Sequence, residues 1–261
     1  MSKIALVLSS GGTRGFAHIG AIEALEENGI KPDIVLGTSI GAIIGGAYAV
    51  GYSVEEIKDI AFSLKKKHIL DFSLRFWKYK GFVKGKKIDK LFKKFFADKK
   101  IENCPITFAC VSNELVSGET VVFTQGELKR AIRASCSIPF IISPYQEDGK
   151  IYVDGAVTNR LAVSQAKMLG ADIIIAVDVV GDISADVKLK SPIGVMFRSL
   201  DCIDNQVTAY KMQIEKPDIL IKPELTIGQA EFKNLKDTYN SGYKATIECI
   251  HKIKEIIGEK V

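Results

Sequence analysis

The chain has 261 residues, 47% of them apolar and 26% charged, with a formal net charge of +5 at pH 7. A chain of this length buries roughly 70–75% of its unfolded surface and fits one large domain or two small ones. That excludes a disordered tail, a fibrous protein and a disulfide-stapled miniprotein.

In chain order, residues 3–9 (KIALVLS) carry an apolar run too short for a signal peptide and read as a buried first strand. The Gly-rich loop 10–15 follows, then a helix over 17–28 closed by Gly29. Residues 34–54 hold no charged side chain and are long enough by count to span a bilayer. They divide, however, into a short strand (34–36), a Gly-Thr-Ser-Ile-Gly corner and a small-residue helix over about 39–50. A soluble strand–turn–helix is the reading, and no transmembrane segment is expected. Ser53, followed by Glu55 and Glu56, marks the N-cap of the next helix.

Beyond a basic stretch come strands at 106–112 and 120–124, a short helix at 128–134 and a hairpin turn at Glu147-Asp148-Gly149-Lys150. A strand at 151–153, a helix at 163–169 and a β-branched strand at 172–180 follow. A helix over 193–214, a strand at 218–221 and an amphipathic helix over 242–257 complete the chain. This alternation predicts an α/β fold with a mainly parallel sheet. With no repeat, low-complexity linker or Pro-rich boundary, residues 1–261 read as a single domain. The five cysteines (Cys104, Cys110, Cys136, Cys202, Cys249) are odd in number and form no C-x-x-C pair. They fit a reducing, cytoplasmic compartment better than a disulfide framework or a zinc site.

Three motifs carry chemistry. Gly37-Thr38-Ser39-Ile40-Gly41 is a G-x-S-x-G pentapeptide between strand and helix, where a sharp corner needs glycine two residues either side of the serine. The hydroxyl then stands exposed at a helix N-terminus, whose dipole favours developing negative charge. A chance match is the competing reading, and the strand–corner–helix context favours the nucleophile. Ser10-Gly11-Gly12-Thr13-Arg14-Gly15 is a second loop able to aim backbone N–H groups at an anion. As a dinucleotide cradle it lacks the first glycine, and no acidic residue closes the second strand. An oxyanion hole is the better reading. Of the three histidines, His251 sits within a helical pattern, His68 in a lysine run and His18 on the helix before the serine. None is placed as a base. Asp154-Gly155-Ala156 ends a strand, where open α/β sheets put their sites. Because Asp148-Gly149 already makes the hairpin, Asp148 is assigned to structure and Asp154 to chemistry. A desolvated carboxylate whose pKa rises toward neutrality can take a serine proton.

The segments SSGGTRGFAHIG, GTSIG and DGA, in this order, resemble the patatin-like phospholipases, as do Arg133-Ala-Ser-Cys-Ser-Ile-Pro139 and Gly81-Phe-Val-Lys-Gly85. The resemblance implies a central, mostly parallel sheet between helices on both faces, a three-layer sandwich. It also implies hydrolysis of lipid esters by a Ser–Asp dyad, with neither metal nor cofactor. Ser39 would be the nucleophile and Asp154 the base, with Gly37 and Gly41 shaping the elbow. The amides of Gly11, Gly12, Thr13 and Arg14 would form the oxyanion hole. The chain departs from the family pattern at Ser10, usually glycine, and at Ala162, often proline. A non-catalytic lipid- or anion-binding protein of the same fold, its hole spoiled by Ser10, is the competing expectation.

The charge is unevenly spread. Residues 65–100 hold 14 Lys/Arg against 3 Asp/Glu, a local +11, so the remainder carries 5 − 11 = −6. The same segment holds eight of the 22 aromatics, Trp77 among them. Interleaved bases and aromatics suit a lid that docks on an anionic membrane, with Trp77 in the interface and Lys84, Lys86 and Lys87 near headgroups. Single-stranded nucleic acid ranks well below, and no nucleic-acid partner is expected. An ordinary amphipathic helix with solvated lysines is an equal reading of residues 89–96. The sequence leaves the oligomeric state open.

Overall fold

The computed structural model describes residues 2–69, 71, 80–180, 192–229 and 231–259. The expected α/β architecture is present. Strand β1 (Ile4–Leu8) is central, flanked by β2 (Ile34–Thr38) on one side and β9 (Ile173–Val177) on the other. The sheet continues through β10 (Ile219–Ile221) at one end and through β4 (Thr107–Glu114), β8 (Lys150–Asp154) and β7 (Tyr145–Glu147) at the other. Strands β10, β9, β1, β2 and β4 are parallel; β8 runs antiparallel to β4, as does β5 (Thr120–Phe123).

The period-2 geometry of a strand divides the core into two faces. From β1, Leu6 and Leu8 enter the larger cluster with Val35 of β2, while Ala5 and Val7 enter the other with Ile34 and Leu36. The larger face is covered by α1 (Phe16–Glu27), α2 (Ile40–Ala49), α3 (Val54–Ser63), α5 (Lys86–Phe96), α6 (Leu128–Ser135) and α9 (Leu235–Glu259). The smaller is covered by α7 (Val163–Met168), with Met212 of α8 (Pro192–Ile214). Ser53 is the expected N-cap of α3, and Glu56 completes a capping box: Ser53 accepts from the Glu56 N–H, and Glu56 accepts from the Ser53 N–H.

Three features differ from expectation. Helix α9 begins at Leu235 rather than 242, because packing against α1 carries it through Asn240-Ser241-Gly242, residues with turn chemistry of their own. Strands β3 (Gly81–Val83) and β6 (Phe140–Ile142) form a small parallel ribbon that no alternation announced, each being three residues long. Residues 86–96 are not a flap. A short helix, α4 (Lys66–Ile69), precedes α5, and Ile88, Phe92 and Phe96 of α5 are buried in the main core. The lid expectation therefore does not extend to α5, and Trp77 lies outside the described residues. No helix among the described residues is long and apolar enough to cross a membrane.

Candidate active site

Sheet register brings the candidate residues together. Thr38, last residue of β2, pairs with Val111 of β4, and the next β4 residue, Ser112, pairs with Asp154 at the end of β8. Ser39 and Asp154 thus leave the sheet at the same level on either side of β4. The Ser39 hydroxyl donates to Asp154 Oδ2 at 2.5 Å, although the residues are 115 positions apart in sequence.

Ser39 stands at φ 57° and ψ −120°, a conformation that costs a non-glycine residue roughly 1–3 kcal/mol. The glycines around it are forced by close approach: a Cβ on Gly37 would lie 2.3 Å from the Gly41 carbonyl oxygen, and one on Gly41 2.3 Å from the Leu8 oxygen. The strained residue is held by its backbone. Its carbonyl accepts from Ala42 and Ile43 N–H, and its N–H donates to Ser135 Oγ at 2.9 Å.

Asp154 is 4% exposed. Burial raises its pKa to about 6, opposed by hydrogen bonds from the Ser39 hydroxyl and the Ala156 N–H, which reaches Oδ1 at 2.9 Å. Its pKa thus lies near neutral pH while Oδ2 accepts from the serine hydroxyl, a geometry compatible with a general base.

The first loop places its amides unevenly. Thr13 N–H donates to the Gln229 carbonyl at 2.9 Å and Arg14 N–H to the Gly11 carbonyl at 3.2 Å. The Arg14 guanidinium bonds the carbonyls of Ile227 and Val180, tethering the loop rather than facing an anion. The expected four-amide hole therefore narrows. Among the described residues, the Gly11 and Gly12 amides have no such partner, and neither has that of Ile40, which opens α2 beside the serine. Ser10 does not occupy the left-handed region, so a side chain there carries no backbone strain. Its N–H donates to the Arg160 carbonyl at 3.1 Å.

None of the three histidines approaches the serine hydroxyl through a hydrogen bond. His18 is fully buried, its Nε2 bonded to the Ser9 carbonyl, and burial lowers its pKa to about 4, leaving it neutral at pH 7. His68 Nδ1 accepts from Lys65 N–H on the surface, and His251 is exposed on α9. Lys86 is exposed on α5, Lys84 N–H donates to the Asp71 carbonyl, and Lys87 Nζ donates to the Lys67 carbonyl.

Two features at the site received no role from the sequence. Arg160, 3% exposed, bonds Asp178, Asp204 and Asn205, and so fixes the carbonyl that receives Ser10. The Ser135-Cys136-Ser137 stretch lies directly behind both Ser39 and Asp154. It belongs to the Arg133–Pro139 stretch that resembles the family, to which the sequence assigned no role.

The chain matches the patatin-like phospholipase family over residues 6–167. It is 35% identical to an uncharacterized NTE family protein of Mycobacterium tuberculosis, over 73% of this chain and 52% of that protein. It is 36% identical to lysophospholipase NTE1 of Pyricularia oryzae, over 97% of this chain and 19% of the fungal protein. The chain thus spans about half the length of the mycobacterial relative and under a fifth of the fungal one. VipD from Legionella pneumophila shares the fold, with a TM-score of 0.62 at 14% identity, covering 96% of this chain and 67% of that one. With the family matched across both the Ser39 corner and Asp154, the chain belongs to the patatin-like phospholipases.

Proposed function

We propose that the chain is a lipid acyl hydrolase that cleaves carboxylic esters through Ser39 and Asp154, with lysophospholipids as the first substrate class to test. The observation that carries this reading is the 2.5 Å hydrogen bond from a strained elbow serine to a buried carboxylate. The fungal relatives' name, lysophospholipase, supports the substrate class.

In the reaction, Ser39 Oγ attacks the ester carbonyl as its proton passes to Asp154. The tetrahedral oxyanion rests on the amides of Gly11 and Gly12, with the Ile40 amide and the N-terminus of α2 adding to the field. Collapse expels the alcohol, which takes the proton from Asp154. Water then gives a proton to Asp154 and attacks the acyl-enzyme. The fatty acid leaves, and the proton returns to Ser39.

The exposed lysines of α5 (Lys86, Lys87, Lys90, Lys93, Lys94) form a solvated basic face that suits an anionic lipid surface. The competing reading, a non-catalytic binding protein, drew on Ser10. Ser10 lies outside the left-handed region, so its side chain adds no backbone strain to the loop, which favours the catalytic reading.

The test is labelling by a fluorophosphonate probe, together with hydrolysis of a lysophospholipid and a p-nitrophenyl ester. Wild type should label and turn over; Ser39→Ala should do neither, and Asp154→Asn should lose at least about a thousandfold. Equal background rates in all three would overturn the reading.

A further inference from the structure

We infer that Ser135, Cys136 and Ser137 form a positioning clamp that sets the alignment of the Ser39 hydroxyl on Asp154. The inference deepens the proposed function and rests on it. Three consecutive residues at the end of α6 each bond the backbone of one of the two reacting residues. Ser135 Oγ accepts the Ser39 N–H at 2.9 Å, Cys136 Sγ donates to the Ser39 carbonyl at 3.3 Å, and the Ser137 carbonyl accepts the Asp154 N–H at 2.9 Å. Ser135 and Ser137 are wholly buried, and Cys136 is 7% exposed.

The clamp has its own anchor. The Arg133 guanidinium donates to Ser137 Oγ at 2.6 Å, to the Ser143 carbonyl at 3.0 Å and to Asp89 of α5 at 2.8 Å. One buried fork therefore ties the segment behind the site to the basic helix and to the β3–β6 ribbon.

The physical need is specific. Ser39 is held in a conformation that its own chain resists, and rotation of the peptide before or after it would swing Oγ off the carboxylate. Ser135 and Cys136 grip the two ends of that residue, and Ser137 fixes the partner at the same level. A displacement of about 1 Å at a reacting atom can cost on the order of a hundredfold in rate. Because Ser135 Oγ occupies the Ser39 N–H, it also keeps that amide out of the oxyanion hole, leaving the work to Gly11, Gly12 and Ile40.

The experiment compares wild type, Ser39→Ala, Ser135→Ala, Cys136→Ala and Cys136→Ser on a short-chain p-nitrophenyl ester, reading kcat, KM and the pH dependence of kcat/KM. Ser135→Ala should lower kcat by about 10- to 100-fold with KM within about twofold. It should also move the pH midpoint upward, since the Ser39 hydrogen bond is one of the contacts that lowers the Asp154 pKa. Cys136→Ala should lower kcat, and Cys136→Ser, whose hydroxyl still donates to the Ser39 carbonyl, should restore most of it. A residue that only closes α6 would change melting temperature without moving the pH midpoint or splitting kcat from KM. An unchanged kcat and pH midpoint in Ser135→Ala overturns the clamp. Should that variant not fold, equal kcat in Cys136→Ala and wild type does the same. Inactive wild type, or equal rates in wild type and Ser39→Ala, would instead sink the proposed function itself.

Discussion

The Ser39 hydroxyl points at Asp154 with no imidazole between them: Oγ to Oδ2 is 2.5 Å, and the buried His18 of α1 spends its Nε2 on the Ser9 carbonyl. The pH dependence should therefore belong to a carboxylate. Burial raises the Asp154 pKa to about 6, and only the ionised form accepts the serine proton. The value of kcat/KM should climb about tenfold per pH unit below that pKa and level off above it. A profile without an inflection between pH 5 and 7 would contradict this assignment.

The same carboxylate should weaken the fold while it drives the reaction. Its folded pKa lies above the unfolded value of roughly 3.9, so the native state binds more protons between about pH 4 and 6. The stability this group contributes is complete below pH 4 and is lost as pH rises through 6. At pH 7 the loss is on the order of 2–3 kcal/mol, from about two units of pKa difference. Asp154→Asn removes the buried charge and should melt higher than wild type at pH 7, with the gap closing toward pH 4. Thermal denaturation at both pH values measures it.

Gly12 separates the geometry of the hole from that of the fold. It stands at φ 57°, and a Cβ there would lie 2.2 Å from the Gln229 carbonyl oxygen, the acceptor of the Thr13 N–H. Alanine must push the loop off that carbonyl and re-aim the Gly11 and Gly12 amides. Loss of one donor costs about 10²–10³ in kcat. Gly12→Ala should show that loss in ester hydrolysis while Ser39 is still labelled to completion by the fluorophosphonate probe on long incubation, because the final extent of labelling reports the hydroxyl rather than the hole. Steady-state kinetics and labelling on one preparation compare the two.

The elements legible in the sequence are those whose cause is local. The G-x-S-x-G corner declares its serine because the glycines answer contacts made within the corner and against the neighbouring Leu8. The two Asp-Gly pairs could be told apart because Asp148, at φ 50°, sits in a two-residue hairpin turn between β7 and β8, whereas Asp154 ends a strand. What stayed hidden depends on distant partners. Thr13 reads as a hole donor until Gln229, 216 residues away, takes its N–H. Nothing local marks Arg133 or Arg160 as buried, because their carboxylate partners, Asp89 and Asp178, come from other elements. Ser135 lies in the Arg133–Pro139 stretch, but nothing there announces its contact, because its partner is a backbone N–H on another element.

Helix α5 offers the last test, since its two faces should answer to different assays. Phe92 is 3% exposed in the main core, against Phe96 at a ring separation of 5.9 Å. Phe92→Ala should cost about 3–5 kcal/mol, a loss read by denaturant unfolding. Lys93 and Lys94 are solvated on the opposite side, where charge changes shift stability by only about 0.5 kcal/mol. Reversing both to glutamate should leave the unfolding midpoint nearly unchanged. It should weaken binding to phosphatidylserine vesicles, and the remaining binding should be less sensitive to salt, because fewer screened charges take part. Vesicle sedimentation at two ionic strengths checks both points. If wild type shows no preference for anionic over neutral vesicles, the lysine face is only a solvated helix surface, and α5 contributes to the protein through its buried phenylalanines alone.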